Sequence, residues 1–553
     1  MNKRHFKSWP YGLVHSLAIP ETSLYSNLEV TARRHPELVA TNFYGSLLSY
    51  QRLDADVLCL AGFLQARCGV QKGDRVLLCM QNSPQFVIGY YAILRADAIV
   101  VPVSPMLKTA ELAFLIGDCA PKAAIVSQEV FPQLASLVGA SALTNAIVAT
   151  YSDYLNTATV LPVPDFVRAP RQVTAQAGVT PWATALEPGH APRAHQARPD
   201  DTAILPYTSG TTGRPKACVH SHRTTMYGAV VKAAWGGAGH PGQVILACLP
   251  FFHVTGMQLS MNTSVYCGGT LVILPRWDRD AAGALIERFG VTEWINVPTM
   301  AIDFLANPRL SDYNLDSLSV VGGGGAPMPA AIGQRLLDLV GRPYAEGYGL
   351  SETIGATHMN SPRLTKPQCL GIPIFDIDSR VVDLESGREL AVGELGEIVI
   401  HGPPVFSGYW NDPAATRDAF VELDGKRFFR TGDLGHVDDD GFFFCTDRLK
   451  RMINASGLKV WPAEVESFLM GHPALQQCCV IGAADAYRGE TVKALVVLKA
   501  GAELAEQGLI DWLRDRLAAY KVPSRVEFVQ ALPIGPTGKV QWRELQARER
   551  QGR

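Results

Sequence analysis

YTSGTTGRPK, residues 207–216, packs four hydroxyl side chains (Thr208, Ser209, Thr211, Thr212), two glycines (Gly210, Gly213) and a closing Lys216 into ten positions. The apolar run Thr202-Ala-Ile-Leu-Pro206 leads into it. Glycines let the backbone turn tightly and bring N–H groups against a ligand, and the hydroxyls and Lys216 add donors, so the cluster suits a polyphosphate. Its spacing differs from the usual nucleotide loop, GxxxxGK[ST] opening a helix. Pro215, just before the lysine, disfavours a helix starting inside the loop.

Working outward, short apolar runs rich in β-branched residues alternate with segments of helical period. Arg75–Met80, Ala98–Val103, Ala123–Ser127, Val244–Leu249 and Thr270–Leu274 read as buried strands, and Pro84–Arg95 and Ala281–Phe289 as helices. Such alternation predicts parallel sheets covered by helices. Residues 154–199, rich in Ala and Pro and without period, read as a surface insertion. Glu397–His401 and Gly441–Cys445 read as short antiparallel strands. After Asp447 a basic cluster (Arg448, Lys450, Arg451) opens a compact α/β pattern: a helix beginning at Pro462, strands Cys478–Gly482 and Val492–Leu498, and a helix Leu509–Tyr520. A boundary between 447 and 448 divides a large N-terminal domain (1–447) from a lid-sized C-terminal one (448–553).

The chain's 553 residues exceed the roughly 250–300 at which a single core stops growing, so at least two domains are expected. With 47% hydrophobic and 18% charged residues the composition is that of an ordinary globular chain. A formal charge of −2 gives no reason to expect a nucleic-acid partner. The 11 cysteines are scattered without CxxC or Cys/His ligand spacing, which argues against a zinc site or a disulfide framework. No stretch approaches 18 uninterrupted apolar residues and the N-terminus lacks a signal-peptide core. A cytoplasmic protein with no integral membrane segment is expected; peripheral membrane contact and oligomeric state stay open.

Further along stand Gly322-Gly-Gly-Gly-Ala-Pro-Met328, Tyr348-Gly-Leu-Ser-Glu352, Arg430-Thr-Gly-Asp433, Asp447-Arg-Leu-Lys450, Asn454-Ala-Ser-Gly-Leu-Lys459 and Pro536-Thr-Gly-Lys-Val540. Each alone is a common turn, glycine run or basic patch. Together with YTSGTTGRPK, and in this order, they resemble the motif series of the adenylate-forming superfamily, which contains acyl-CoA synthetases, adenylation domains of peptide synthetases and beetle luciferase. The resemblance spans essentially the whole chain, and even Leu48-Ser-Tyr-Gln-Arg-Leu53 is similar to the family's LTYxEL start. It implies an α/β fold: helix-covered, mostly parallel sheets plus a small β-barrel-like part in the N-terminal domain, and a mobile α+β lid at the C-terminus.

The resemblance also implies site roles. Thr208, Ser209, Gly210, Thr211, Thr212, Gly213 and Lys216 would cradle ATP phosphates, with Thr212 and Glu352 as ligands for Mg²⁺. Gly324, Gly325, Ala326 and Pro327 would form the adenine-binding turn, joined by Glu346, Gly347, Tyr348 and Gly349. Ser351 would offer a hydroxyl to the α-phosphate; serine stands where the family carries threonine, and the hydroxyl is kept. Asp433 and Arg448 would hold the ribose, Lys450 would sit at the hinge, and Gly457 and Lys459 would line the path of coenzyme A. Lys539 would be the catalytic lysine, neutralising charge between the attacking carboxylate and the α-phosphate. The implied reaction has two steps, acyl-AMP formation with release of pyrophosphate and then displacement of AMP by a thiol.

Pro250-Phe-Phe-His-Val-Thr-Gly256 bears on the acid. Amino-acid-activating relatives carry an aspartate where this chain has His253, and a buried ammonium without a counter-charge is costly, so an α-amino acid is not expected. His253 either gates the acyl pocket or is a satisfied packing histidine. Uncharged, partly small walls at Val297–Met300, Gly322–Gly325 and Ile354–Thr357 suit a medium- or long-chain fatty acid. An aromatic or alicyclic acid, or transfer to a carrier protein by a fatty acyl-AMP ligase, is the alternative.

Overall fold

A computed structural model gives the fold and describes residues 3–155, 159–172, 175–208, 215–235, 239–361, 364–455, 458–485 and 489–551. Among the described residues the strand at Val320–Gly324 lies inside a nine-stranded sheet. Its neighbours Glu293–Asn296 and Ala345–Leu350 run parallel to it, and the parallel series continues through Val244–Ala247 and Thr270–Ile273 to Val39–Phe43. A seven-stranded sheet is parallel from Thr202–Ile204 through Ile99–Pro102, Arg75–Cys79 and Ala123–Ser127 to Asn145–Ala149 and Val179–Pro181. Strands such as Ile99–Pro102, Ala123–Ser127 and Val244–Ala247 read as near-continuous apolar runs because helices cover the sheet faces. Pro84–Arg95 is one such helix; Ser83 caps it, its Oγ accepting from Phe86 N, and Pro84 fits the first turn. One apolar core runs between the two sheets, from Val76 and Leu78 to Leu246 and Trp294.

A smaller, antiparallel five-stranded sheet follows, formed by Asp378–Val382, Gly396–His401, Phe420–Leu423, Lys426–Val437 and Phe443–Arg448, where the barrel-like part is expected. Past a short 3₁₀ turn at Leu449–Arg451, another five-stranded sheet encloses its own core around Val465, Val480, Val496 and Leu513. The cysteines are free thiols. No helix among the described residues is long and apolar enough to cross a membrane.

Two expectations need correction. Residues 154–199 do more than wander over the surface: Val179–Pro181 extends the seven-stranded sheet, and Leu161, Val167 and Trp182 are buried. These anchors come singly, so no period betrays them. The helix expected over Leu509–Tyr520 spans Glu506–Arg514. Leu517 imitates a further turn by its spacing, but together with Val522 it packs into the same small core by folding back.

Candidate functional site

The glycine run is fixed first by its neighbours in the sheet. A Cβ at Gly322 would lie 2.5 Å from Ala345 O, one at Gly323 would lie 1.8 Å from Asn296 O, and one at Gly324 would lie 2.2 Å from Gly347 O. Gly325 differs: its φ is +86°, and its Cβ would meet the side chain of Lys539, 2.5 Å from Cε and 2.9 Å from Nζ. Three glycines thus answer to the backbones of adjacent strands and the fourth to a lysine from the far end of the chain. Ala326 and Pro327 continue into a turn pinned by Glu346, whose carboxylate accepts from Met328 N at 3.3 Å and Gln368 N at 3.1 Å. Burial pushes the Glu346 carboxyl up to about 7, and those two amides oppose the shift.

Gly347, Tyr348 and Gly349 lie on Ala345–Leu350, beside the turn. The Tyr348 hydroxyl donates to Asp433 Oδ2 at 2.6 Å. Asp433 is buried and stands opposite Arg448 in the strand pairing, with Arg448 Nε 3.0 Å from Oδ1. Asp433 is the foremost influence holding the Arg448 guanidinium in its charged form. Three separated motifs therefore meet at one carboxylate.

Immediately after Leu350 the chain enters the 3₁₀ turn Ser351–Thr353, and Thr353 Oγ1 accepts from Leu350 N at 2.9 Å. Glu352 Oε1 accepts from the Tyr409 hydroxyl at 3.0 Å, and Glu352 O accepts from Phe406 N at 2.8 Å. Burial raises the Glu352 pKa, opposed by the Tyr409 hydrogen bond and the charge of Arg448.

YTSGTTGRPK is flanked by an antiparallel pair, Tyr207–Thr208 with Lys216–Ala217, placing Thr208 opposite Lys216. Ser209, Gly210, Thr211, Thr212 (with its expected metal role) and Gly213 lie outside the described residues, as does Gly457. Lys216 Nζ is 3.5 Å from Asp412 Oδ2 and 5.2 Å from the centre of the Tyr409 ring. Tyr409 therefore touches both the lysine that ends the loop and the carboxylate of Glu352.

From the C-terminal side, the Thr299 hydroxyl donates to Gly538 O at 2.6 Å, seating the Lys539 turn on the helix Pro298–Leu305. Lys539 is half-buried; desolvation, then the Arg448 charge, brings its pKa down to about 8, with Asp433 pulling the other way. His253 is held neutral, its pKa pushed down to about 3 by burial and by the neighbouring Lys539, and its Nδ1 accepts from Thr255 N at 3.3 Å. Lys450 lies in the turn Leu449–Arg451, its charge disfavoured by burial and by the cations Arg543 and Lys216. Lys459 is exposed on Leu458–Val460 and, among the described residues, makes no hydrogen bond or ion pair with the other groups named here.

Sequence reasoning missed Tyr409, Asp412 and Gln368, and it placed Thr299 only in an uncharged wall, not as the seat of the Lys539 turn. The three missed residues belong to no motif: Gln368 lies in a turn, Tyr409 in a turn segment bridged to Cys218, and Asp412 caps the helix Pro413–Asp418. Glu352 is not part of any group of three or more His, Cys, Asp or Glu side chains among the described residues. Lys216, Glu352, Asp433 and Lys539 nonetheless share one neighbourhood, with two cations and two carboxylates around the glycine-lined turn.

The family model described as AMP-binding enzyme matches residues 28–410, and that described as AMP-binding enzyme C-terminal domain matches residues 464–539. The long-chain-fatty-acid–CoA ligase of Bacillus subtilis (strain 168) is 36% identical over 550 residues, covering 97% of this chain and 96% of that one. A feruloyl-CoA synthase of Amycolatopsis sp. is 34% identical over 519 residues, covering 94% and 97%. The crystal structure of ATP-bound MatB from Rhodopseudomonas palustris superposes with a TM-score of 0.84 at 28% identity, covering 96% of this chain and 99% of that one.

Proposed function

The chain belongs to the AMP-binding enzyme family, and from that premise we propose that it is an acid–thiol ligase that uses ATP to join a carboxylic acid, preferentially a long-chain fatty acid, to coenzyme A. The site geometry supports the residue roles proposed. Tyr348 and the backbone of Gly324–Pro327 take the adenosine, and Asp433 with Arg448 takes the ribose hydroxyls, a pairing in which a charged acceptor gains most from each hydrogen bond. Thr208 and Lys216 flank the phosphates. Glu352 fits a Mg²⁺ ligand: its oxygen is hard and half-buried, and Mg²⁺ is ordinarily held by one or two carboxylates together with the nucleotide's own phosphates. That ion would neutralise phosphate charge.

The observation that carries this reading is Lys539 against Gly325, beside His253 and within the field of Arg448 and Asp433. An ammonium there lies between the nucleotide side of the site and the walls Val297–Met300, where an acid would approach. It lowers the cost of bringing a carboxylate to the α-phosphorus, which transfers to that carboxylate as pyrophosphate departs. Thiol attack on the acyl carbon then releases AMP. For that second step the lid, bounded at 447/448, turns about Lys450 to present Gly457 and Lys459. His253, neutral and beside Lys539, borders the acyl entrance. The setting proposed is the cytoplasm.

A fatty acid is favoured by the Bacillus relative, and an aromatic acid is kept as the second reading because the feruloyl-CoA synthase is nearly as similar. The test is a panel of fatty, aromatic and amino acids, with AMP release measured with and without coenzyme A. The proposal expects turnover with long acyl chains that depends on coenzyme A. Preference for cinnamic-type acids would select the second reading, and AMP release on adding a carrier protein in place of coenzyme A would select a carrier-loading ligase.

A further inference from the structure

His220 opens the short strand His220–Ser221, four residues beyond Lys216, and is fully buried. Its Nε2 lies 2.7 Å from the carbonyl oxygen of Ser351, across 131 residues of sequence. A carbonyl only accepts, so Nε2 carries the hydrogen, and Nδ1 faces the Thr224 hydroxyl at 3.4 Å. Burial holds the ring neutral, with its pKa pushed down to about 4, so this arrangement persists through the physiological range.

The bond lands on the turn that presents Glu352. At the next residue Glu352 O is held by Phe406 N, and the carboxylate itself by Tyr409. Segment 406–410 is zipped to the stretch 217–219 just before His220: Val219 N donates to Gly408 O at 2.9 Å, Ser407 N to Val219 O at 3.1 Å, and Trp410 N to Ala217 O at 2.8 Å. Lys216, Tyr409, Glu352 and His220 thus close a ring. Within it His220 supplies a direct side-chain tie from the chain segment leaving the loop to the backbone of the Ser351–Thr353 turn.

We propose that His220 is a positioning residue for Glu352, fixing the turn Ser351–Thr353 to the chain segment that leaves the phosphate loop so that the Glu352 carboxylate and Lys216 keep one separation around Mg-ATP. The inference rests on Glu352 being the Mg²⁺ ligand. Glutamine carries its amide nitrogen as far from the backbone as His Nε2, whereas asparagine reaches only to the position of Nδ1. His220→Asn therefore breaks the tie and His220→Gln keeps it, at similar polarity.

The experiment measures Mg²⁺-dependent ATP binding to the full-length enzyme by displacement of a fluorescent ATP analogue, alongside the thermal midpoint. His220→Asn should raise the Mg²⁺ concentration for half-maximal binding roughly five- to tenfold, the size of one lost hydrogen bond. His220→Gln should recover most of it. In a Glu352→Gln background His220→Asn should add little, because the group it positions is already gone. An unchanged Mg²⁺ requirement in His220→Asn, while Glu352→Gln shifts it, overturns the inference and leaves the Glu352 assignment standing. No shift in Glu352→Gln overturns that assignment itself. If His220→Asn does not fold, His220→Leu replaces it with the same expected and overturning outcomes.

Discussion

Lys539 lies against Gly325 so closely that no side chain fits between them, although 214 positions separate the two in the chain (539 minus 325). The contact joins the glycine turn of the large domain to the last motif of the small one. Lys539→Ala should lower acyl-adenylate formation by about 10²- to 10³-fold, the usual consequence of removing one preorganised charge at a reacting centre. Thioester formation from supplied acyl-adenylate should largely survive. Gly325→Val, which drives a side chain into the lysine and strains a positive φ, should lose adenylation in the same selective way. Pyrophosphate exchange and single-turnover thioester formation measure the two halves; equal losses in both would refute the role given to the lysine.

The same lysine sets a pH dependence. Its pKa is brought down from 10.5 to about 8 by burial and by Arg448, so the useful protonated form is complete well below pH 8 and is lost as pH rises through it. Adenylation kcat/KM should therefore fall on the alkaline side with a midpoint near 8 in the free enzyme. His253, with its pKa near 3, is neutral throughout and should contribute no limb between pH 5 and 7. In Lys539→Arg the alkaline limb should move beyond pH 10, because a guanidinium keeps its proton there. A limb unchanged in that variant would assign the titration to another group.

Tyr348 and Asp433 are joined by a 2.6 Å hydrogen bond from a phenol to a buried carboxylate. A hydrogen bond to a charged group contributes about 1.5–3 kcal/mol, so Tyr348→Phe should weaken ATP binding roughly tenfold or more by letting the carboxylate reorient. Asp433→Asn should weaken it further by losing the charge that Arg448 faces. Equilibrium binding of ATP to the intact enzyme checks both. Normal affinity in Asp433→Asn would remove the ribose assignment.

Much of this arrangement is legible in the sequence because its parts are local. Pro84–Arg95 announces itself through Ser83, Pro84 and an apolar helix, and the buried strands through short β-branched runs. Asp433, Tyr348 and Lys539 sit in motifs whose residue types already suggest their chemistry. What stays hidden is partnership. Tyr409 lies in an ordinary turn segment, and nothing near it shows that its hydroxyl reaches Glu352, 57 residues upstream. Thr299 reads only as part of an uncharged wall until Gly538 arrives at its hydroxyl. Gly322–Gly324 invite a ligand-based explanation, yet the oxygens of Ala345, Asn296 and Gly347 already exclude a Cβ there. Sheet packing decides those positions, and single-sequence patterns carry no record of which strands become neighbours.

Beneath the site, Lys232 Nζ lies 2.5 Å from Glu293 Oε1, and both side chains are buried, at 6% and 1% exposure. The Gln243 amide donates to the other Glu293 oxygen. Glu293 belongs to the strand next to the glycine run, so this pair bears on the sheet that carries the glycine turn. Removing one partner of a buried pair leaves an uncompensated charge and costs about 3–5 kcal/mol, whereas removing both charges can be nearly neutral. Lys232→Met should therefore lower the thermal midpoint by several degrees, and adding Glu293→Gln should restore most of the loss, since glutamine keeps a hydrogen-bonding partner for Gln243 without the charge. Differential scanning calorimetry of the wild type, the two single variants and the double variant measures the coupling directly. Strictly additive losses would mean that the two charges are independently solvated and that the ion pair does not hold this edge of the sheet.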